Sequence, residues 1–127
     1  MNVIADGIKV TTSWSVQNPG LMQTHAGAGS CNNGTVVQTP CPAAEIYQMI
    51  EDGTMGTSSG DGLSQCLAET GATDVSMYYK AARIYNGGYN GWDKTNLGAG
   101  CCTKCYATDV ANRLTGWHTG NTGCTLS

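Results

Sequence analysis

The chain has 127 residues and a mass of 13.2 kDa, a size that suits one domain with a modest core. Nine acidic and six basic residues give a formal net charge of -3, so the positive field typical of nucleic-acid binding is absent. No run of about 20 apolar residues is present to predict a membrane-spanning helix. We therefore predict a single domain over residues 1–127, a monomer with no nucleic-acid partner, no membrane segment and no cofactor.

The first predicted elements are a strand and two helical segments. Residues 7–16 carry β-branched side chains with partial alternation, which favours a strand or hairpin. Pro42 then opens a helix over residues 43–52, where apolar side chains recur at helical spacing until Gly53 ends the run. A short helical turn follows over residues 63–68.

Two further helices are predicted in the second half of the chain. One is capped by Asp74 and ends at Gly87-Gly88. The other runs from Tyr106 to Leu114, with Gly116 as terminator. The predicted fold class is therefore α+β and predominantly helical, with a small β region near the N-terminus.

Cysteine content indicates an oxidising compartment. A short chain with seven cysteines predicts roughly three disulfides and a secreted, extracellular protein. Cys31 and Cys41 flank a polar loop, so a bond between these two is predicted first. The odd count leaves one sulfur without an internal partner. Asn33 begins a glycosylation acceptor sequence in that loop. The candidate disulfide cysteines are Cys31, Cys41, Cys66, Cys101, Cys102, Cys105 and Cys124.

Part of the cysteine set also overlaps a zinc-finger spacing. Cys102, Cys105, His118 and Cys124 provide two early and two late ligands. Such a site would make the C-terminal part a zinc-stapled interaction module. The remaining cysteines and the scarcity of basic residues favour disulfides instead, and we predict no metal.

Two short motifs suggest a carbohydrate-binding cleft. The first is Asn18-Pro19-Gly20-Leu21-Met22-Gln23, and the second is Lys80-Ala81-Ala82-Arg83-Ile84-Tyr85-Asn86-Gly87-Gly88. Gln23 offers an amide donor and acceptor, and Tyr85 and Asn86 place a phenol and an amide at a helix end. Both motifs resemble the lysozyme-like transglycosylases of glycoside hydrolase family 23, which include goose-type lysozymes and soluble lytic transglycosylases. The cysteine-rich tail is similar to that of small secreted fungal members.

The resemblance implies a lysozyme-like fold that cleaves the β-1,4 bond between N-acetylmuramic acid and N-acetylglucosamine in peptidoglycan or a related N-acetylated glycan. Gln23 would then hydrogen-bond an N-acetylated sugar, and Met22 would shape the floor of the cleft. Tyr85 and Asn86 would line the cleft and orient the catalytic acid.

Two other side chains are candidate substrate contacts. His25 follows Gln23 closely enough to reach the same cleft, although a loop histidine is the simpler interpretation. Trp92, in a Gly-Tyr-Asn-Gly loop, is the tryptophan that best suits a sugar platform.

The expected catalytic glutamate is missing. Family 23 enzymes use a glutamic acid ahead of the first motif, but positions 1–44 contain no Glu, and Asp6 is the only carboxylate near the right place. A turn aspartate is the simpler interpretation of Asp6. We expect either that Met1 is not the native start and the glutamate lies upstream, or that the protein is a catalytically inactive glycan-binding or effector protein. Both hypotheses predict no glycosidase activity from these 127 residues. The carboxylates of the first helix are interpreted as solvated surface charges: Glu45, Glu51 and Asp52.

Overall fold

The computed structural model describes residues 20–32, 36–116 and 124. The chain divides into two compact units, Met1–Ser64 and Gln65–Ser127. The described residues form four helices: α1 (Ala43–Met55), α2 (Leu63–Glu69), α3 (Ser76–Gly87) and α4 (Tyr106–Leu114). Strand-like pairing in these residues is limited to isolated bridges, such as the one between Asn32 and Val37. The described part of the protein is therefore predominantly helical.

The predicted helices are confirmed, with small differences at their ends. Helix α4 has the predicted bounds, and α2 ends at Glu69 rather than Ala68. Helix α3 begins at Ser76 with Val75 at its N-cap position, one residue after the predicted Asp74 cap, and the Ser76 N–H donates to the Asp74 carboxylate over 2.9 Å. The predicted strand over residues 7–16 lies outside the described residues, so the N-terminal β region stays a prediction.

The end of α1 differs more from the prediction. The helix passes through Gly53 and ends at Met55, where the Gly56 N–H donates to the Asp52 carbonyl over 2.9 Å. Glycine is a poor residue for a helix interior, but the side chain of Met22 packs directly on this position. A Cβ atom at Gly53 would lie 2.5 Å from Cβ of Met22. Gly53 thus marks a close contact with another segment, not the end of the helix.

The core of the second unit is small and lies between α2 and α3. Cys66 of α2 and Ala81 and Ile84 of α3 are its buried members. Tyr85 and Trp92 pack against them as partly buried aromatic side chains. Helix α3 also contacts α4.

Two disulfides are present among the described residues. Cys31 and Cys41 are bonded with a Cα–Cα distance of 5.5 Å, which confirms the first predicted pair. Cys105 and Cys124 form the second bond. These bonds are consistent with an extracellular protein. In the part of the chain that the structure describes, no helix combines the length and apolar character needed to cross a bilayer.

Candidate functional site

The first motif is a loop that docks on α1. The Leu21 N–H donates to the sulfur of Met49 over 3.3 Å, and a Cβ atom at Gly20 would come within 3.1 Å of the same sulfur. Met22 contacts Gly53 on the next turn of the helix. These contacts attach the start of the loop to α1, and the role of Met22 in the floor of a sugar cleft stays a prediction.

A polar face of α1 anchors the end of the same loop. The Asp52 carboxylate accepts a hydrogen bond from the Gly29 N–H over 2.9 Å and another from the Gln48 amide over 2.8 Å. One helical turn before Gln48, the Glu45 carboxylate accepts from the Ser30 N–H over 2.9 Å. Because these positions share one face of the helix, α1 binds the loop backbone at two points.

The prediction that the α1 carboxylates are solvated surface charges is wrong for two of them. Asp52 is buried, with only 6% of its surface exposed, and Glu45 is half-buried. Glu51 is exposed, as predicted. Helical spacing alone does not show that backbone N–H groups from residues 29 and 30 meet this face.

Asp52 is held as a carboxylate. Burial raises its pKa, but the hydrogen bonds from the Gly29 N–H, the Gln48 amide and the Ala28 N–H outweigh that effect. The pKa of Asp52 therefore lies below its ordinary value, because these donors stabilise the charged form. The hydrogen bond from the Gly29 N–H anchors the loop to Asp52. The lowered pKa makes Asp52 a poor proton donor near neutral pH.

The anchored loop presents Gln23 to solvent. The Gln23 N–H donates to the Gly20 carbonyl over 3.3 Å, which closes a turn. Gln23 itself has a positive φ of 50°, which is uncommon for a residue other than glycine. Its side chain is exposed and lies at a shallow pocket whose lining includes Met22, Thr24 and Asp52.

His25 lies farther along the same loop. Its side chain is exposed, and its carbonyl accepts a hydrogen bond from the Thr57 hydroxyl over 2.9 Å. The imidazole is not among the groups that line the pocket beside Gln23. His25 therefore fixes the loop through its backbone, and its proposed contact with a sugar stays a prediction.

The second motif lies in the other unit. Tyr85 packs against the core there. The Asn86 side-chain oxygen accepts hydrogen bonds from Arg83 over 2.9 Å and from the Thr103 N–H over 3.0 Å. Asn86 thus attaches the loop around residue 103 to α3. Its oxygen is occupied by protein donors.

Trp92 is also in a packing position. Its ring packs against the core of the second unit, and its indole N–H is buried with no hydrogen-bond partner in the described residues. The Lys94 ammonium lies 5.9 Å from the centre of the ring. These contacts do not test whether Trp92 stacks on a sugar, so that role stays a prediction.

Arg83 is an unpredicted feature of the second motif. Its side chain is fully buried and donates to the carbonyls of Cys101 and Thr103, the latter over 2.7 Å. The only signal in the sequence is a basic residue between the apolar Ala82 and Ile84. A charged residue on a core face indicates a polar partner, but the partner itself comes from a distant loop.

Several predicted residues lie outside the described part of the chain: Asp6, Asn33 and His118. The disulfide between Cys105 and Cys124 uses two of the four sulfur or nitrogen ligands of the zinc alternative. Within the described residues, no group of three or more side chains is placed to hold a metal ion.

The loop with Gln23 is thus the best-defined candidate site. No family model, curated protein or solved structure matches this chain. The resemblance to family 23 therefore depends on the residues of the two motifs, and the function has to be argued from the chemistry of the site.

Proposed function

We propose that this chain is a secreted protein that binds peptidoglycan or a related N-acetylated glycan through Gln23, without cleaving it. The observation that carries the proposal is the exposed Gln23 amide on a loop anchored to α1 at both ends. A side-chain amide can donate to and accept from the acetamido group of such a sugar. The anchored loop fixes the backbone position of Gln23 before the ligand arrives, which lowers the entropic cost of binding.

The chemistry of Asp52 supports binding without cleavage. Glycoside hydrolysis needs a carboxyl group that stays protonated near neutral pH, so that it can protonate the leaving oxygen. The carboxylate at this pocket has the opposite property, because hydrogen bonds from the Gly29 N–H, Gln48 and the Ala28 N–H outweigh burial and lower its pKa. Asp52 therefore supports the loop and does not supply the catalytic acid that the resemblance to family 23 requires.

Replacing Gln23 with alanine should weaken glycan binding about tenfold. Loss of a paired amide contact costs about 1–1.5 kcal/mol, and 1.4 kcal/mol corresponds to a factor of ten in affinity. The measurement is isothermal titration calorimetry with soluble oligomers of N-acetylglucosamine and N-acetylmuramic acid. Gln23→Ala should unfold at nearly the same temperature as the parent protein, since the side chain is exposed.

Gln38→Ala is the matched control, because Gln38 is another exposed glutamine of the first unit. It should bind as the parent protein does. Equal affinity of the parent and the Gln23→Ala variant would place the glycan elsewhere, and absence of binding by the parent would overturn the proposal. Release of reducing or anhydro-muramic ends by the parent chain would show that it is an enzyme.

A further inference from the structure

Two adjacent thiols face each other on the surface of the second unit. The sulfurs of Cys101 and Cys102 are 2.6 Å apart, and both residues are exposed. This separation is only about 0.5 Å longer than a disulfide bond and is well inside the ordinary distance between non-bonded atoms. Closing the bond therefore requires a small movement of the sulfurs.

The surrounding backbone is shaped around Cys101. Its thiol donates to the Gly87 carbonyl over 3.3 Å, and its N–H donates to the Gly91 carbonyl over 3.0 Å. A Cβ atom on Gly87 would lie 3.2 Å from the Cys101 sulfur, and a Cβ atom on Gly91 would lie 2.6 Å from it. The missing side chains of these two glycines leave the space that the sulfur occupies.

Side chains of α3 anchor the backbone at Cys101 and at Thr103, the residue that follows the pair. Arg83 donates to the carbonyls of Cys101 and Thr103, and Asn86 accepts from the Thr103 N–H over 3.0 Å. The two sulfurs are thus presented by a fixed turn on α3. The end of the second motif, which the resemblance assigns to a sugar cleft, supports this turn.

The electrostatics of the turn fit a pair of interacting thiols. A hydrogen bond with Cys101 is the largest cause of the raised pKa of Cys102, followed by burial and the charge of Cys101, while Arg83 acts in the opposite direction. A thiol that shares its proton with a neighbouring thiolate behaves in this way. The causes that raise the pKa of Cys102 outweigh the Arg83 guanidinium, so they favour the protonated thiol at Cys102.

We propose that Cys101 and Cys102 form a reversible vicinal disulfide and are a redox modification site of this protein. Its oxidant is a low-molecular-weight disulfide of the glutathione class. This bond supplies the third disulfide that the cysteine count predicts. Cys66, by contrast, is 1% exposed in the core and is not accessible to such a reagent.

The exchange takes place in two steps. The thiolate of one cysteine attacks oxidised glutathione, so that a mixed disulfide forms and one glutathione thiolate leaves. The second cysteine loses its proton and attacks the protein sulfur of that mixed disulfide, which releases the second glutathione thiolate. The protein pair loses two electrons and two protons, and oxidised glutathione becomes two thiols.

Peptide mapping tests the proposal directly. The full chain is equilibrated with oxidised and reduced glutathione at varied ratios, its thiols are blocked with iodoacetamide, and it is digested with trypsin without reduction. Cleavage after Lys94 and Lys104 releases residues 95–104, which contain Cys101 and Cys102 and no other cysteine. Under oxidising ratios this peptide should carry no alkyl group and be two hydrogens lighter than the dithiol. Under reducing ratios it should carry two alkyl groups.

A Cys102→Ser variant separates the two steps. It should accumulate a glutathione mixed disulfide on Cys101 at a level about tenfold or more above that of the parent, because the neighbouring thiol of the parent acts at a high effective concentration. The proposal is overturned if both thiols of the parent are alkylated at every ratio, if both carry glutathione, or if either is joined to another peptide.

Discussion

Replacing Arg83 with leucine should destabilise the second unit by about 3 kcal/mol. The guanidinium is fully buried and hydrogen-bonds to the carbonyls of Cys101 and Thr103 and to the side-chain oxygen of Asn86. Leucine fills much of the same volume but leaves the carbonyls of Cys101 and Thr103 without their Arg83 donor, at about 1–3 kcal/mol for each carbonyl that stays buried, while the Asn86 oxygen still accepts from the Thr103 N–H. Urea unfolding with the disulfides intact measures the loss, and amide hydrogen exchange in α3 locates it.

Two further variants give this prediction its controls. Arg113→Leu removes an exposed arginine of α4 and should change stability by less than about 0.5 kcal/mol. Arg83→Lys keeps the charge but cannot reproduce the planar array of donors, so its stability should lie between those of the parent and Arg83→Leu. An unchanged unfolding midpoint for Arg83→Leu would show that the hydrogen bonds to the Cys101 turn contribute little to stability.

Replacing Asp52 with alanine should destabilise the first unit by about 3–6 kcal/mol. The variant loses the hydrogen bonds from the Gly29 N–H and from Gln48, and hydrogen bonds to a charged group contribute about 1.5–3 kcal/mol each. Because Gln23 lies on the loop that Asp52 anchors, glycan binding should weaken as well. Urea unfolding measures the first effect, and calorimetric titration with the soluble glycan measures the second.

The pH dependence gives a sharper test of Asp52. Its hydrogen bonds, which outweigh burial, lower the folded-state pKa below the ordinary value of 3.8. The stability it contributes is therefore fully present above that ordinary value and is lost as the pH falls through the folded-state pKa. The difference in unfolding free energy between the parent and Asp52→Ala should shrink over this acid range. A difference that stays constant from pH 7 to about pH 2 would show that the charge of Asp52 is not the stabilising feature.

Glu51→Ala is the matched control for the acid titration, because Glu51 is the exposed neighbour on the same helix. Its stability should follow that of the parent at each pH. Asp74 and Asp93 will still give the variants some pH dependence, since side-chain hydrogen bonds with Ser76 and Thr95 lower their pKa values. The comparison between variants removes this shared contribution.

Local signals predicted the helices well. The bounds of α4 agree with the prediction because apolar spacing and a terminating glycine are properties of neighbouring residues. The end of α1 was predicted wrongly, because glycine often ends a helix but Gly53 lies inside this one and packs against another segment. Met22 is distant in the sequence and supplies that contact. The helices could thus be predicted from local sequence, but the structural role of Gly53 could not.

The candidate site was predicted only in part. The sequence singled out Gln23 as an amide donor and acceptor in the first motif, and the structure places it on an exposed turn. The roles of Asp52 and Arg83 were not predictable, since both depend on backbone groups from distant loops. A carboxylate on a helix and an arginine in an apolar stretch have the same local pattern whether they are solvated or buried.

The sequence by itself determined the helical segments, the presence of disulfides and the pairing of Cys31 with Cys41. Each of these depends on composition or on residues close together along the chain. Tertiary structure decided that Asp52 anchors the Gln23 loop and that Arg83 supports the turn with Cys101 and Cys102. The physical reason is that a buried charge is stable only beside suitable donors or acceptors, and folding brings those partners from elsewhere in the chain.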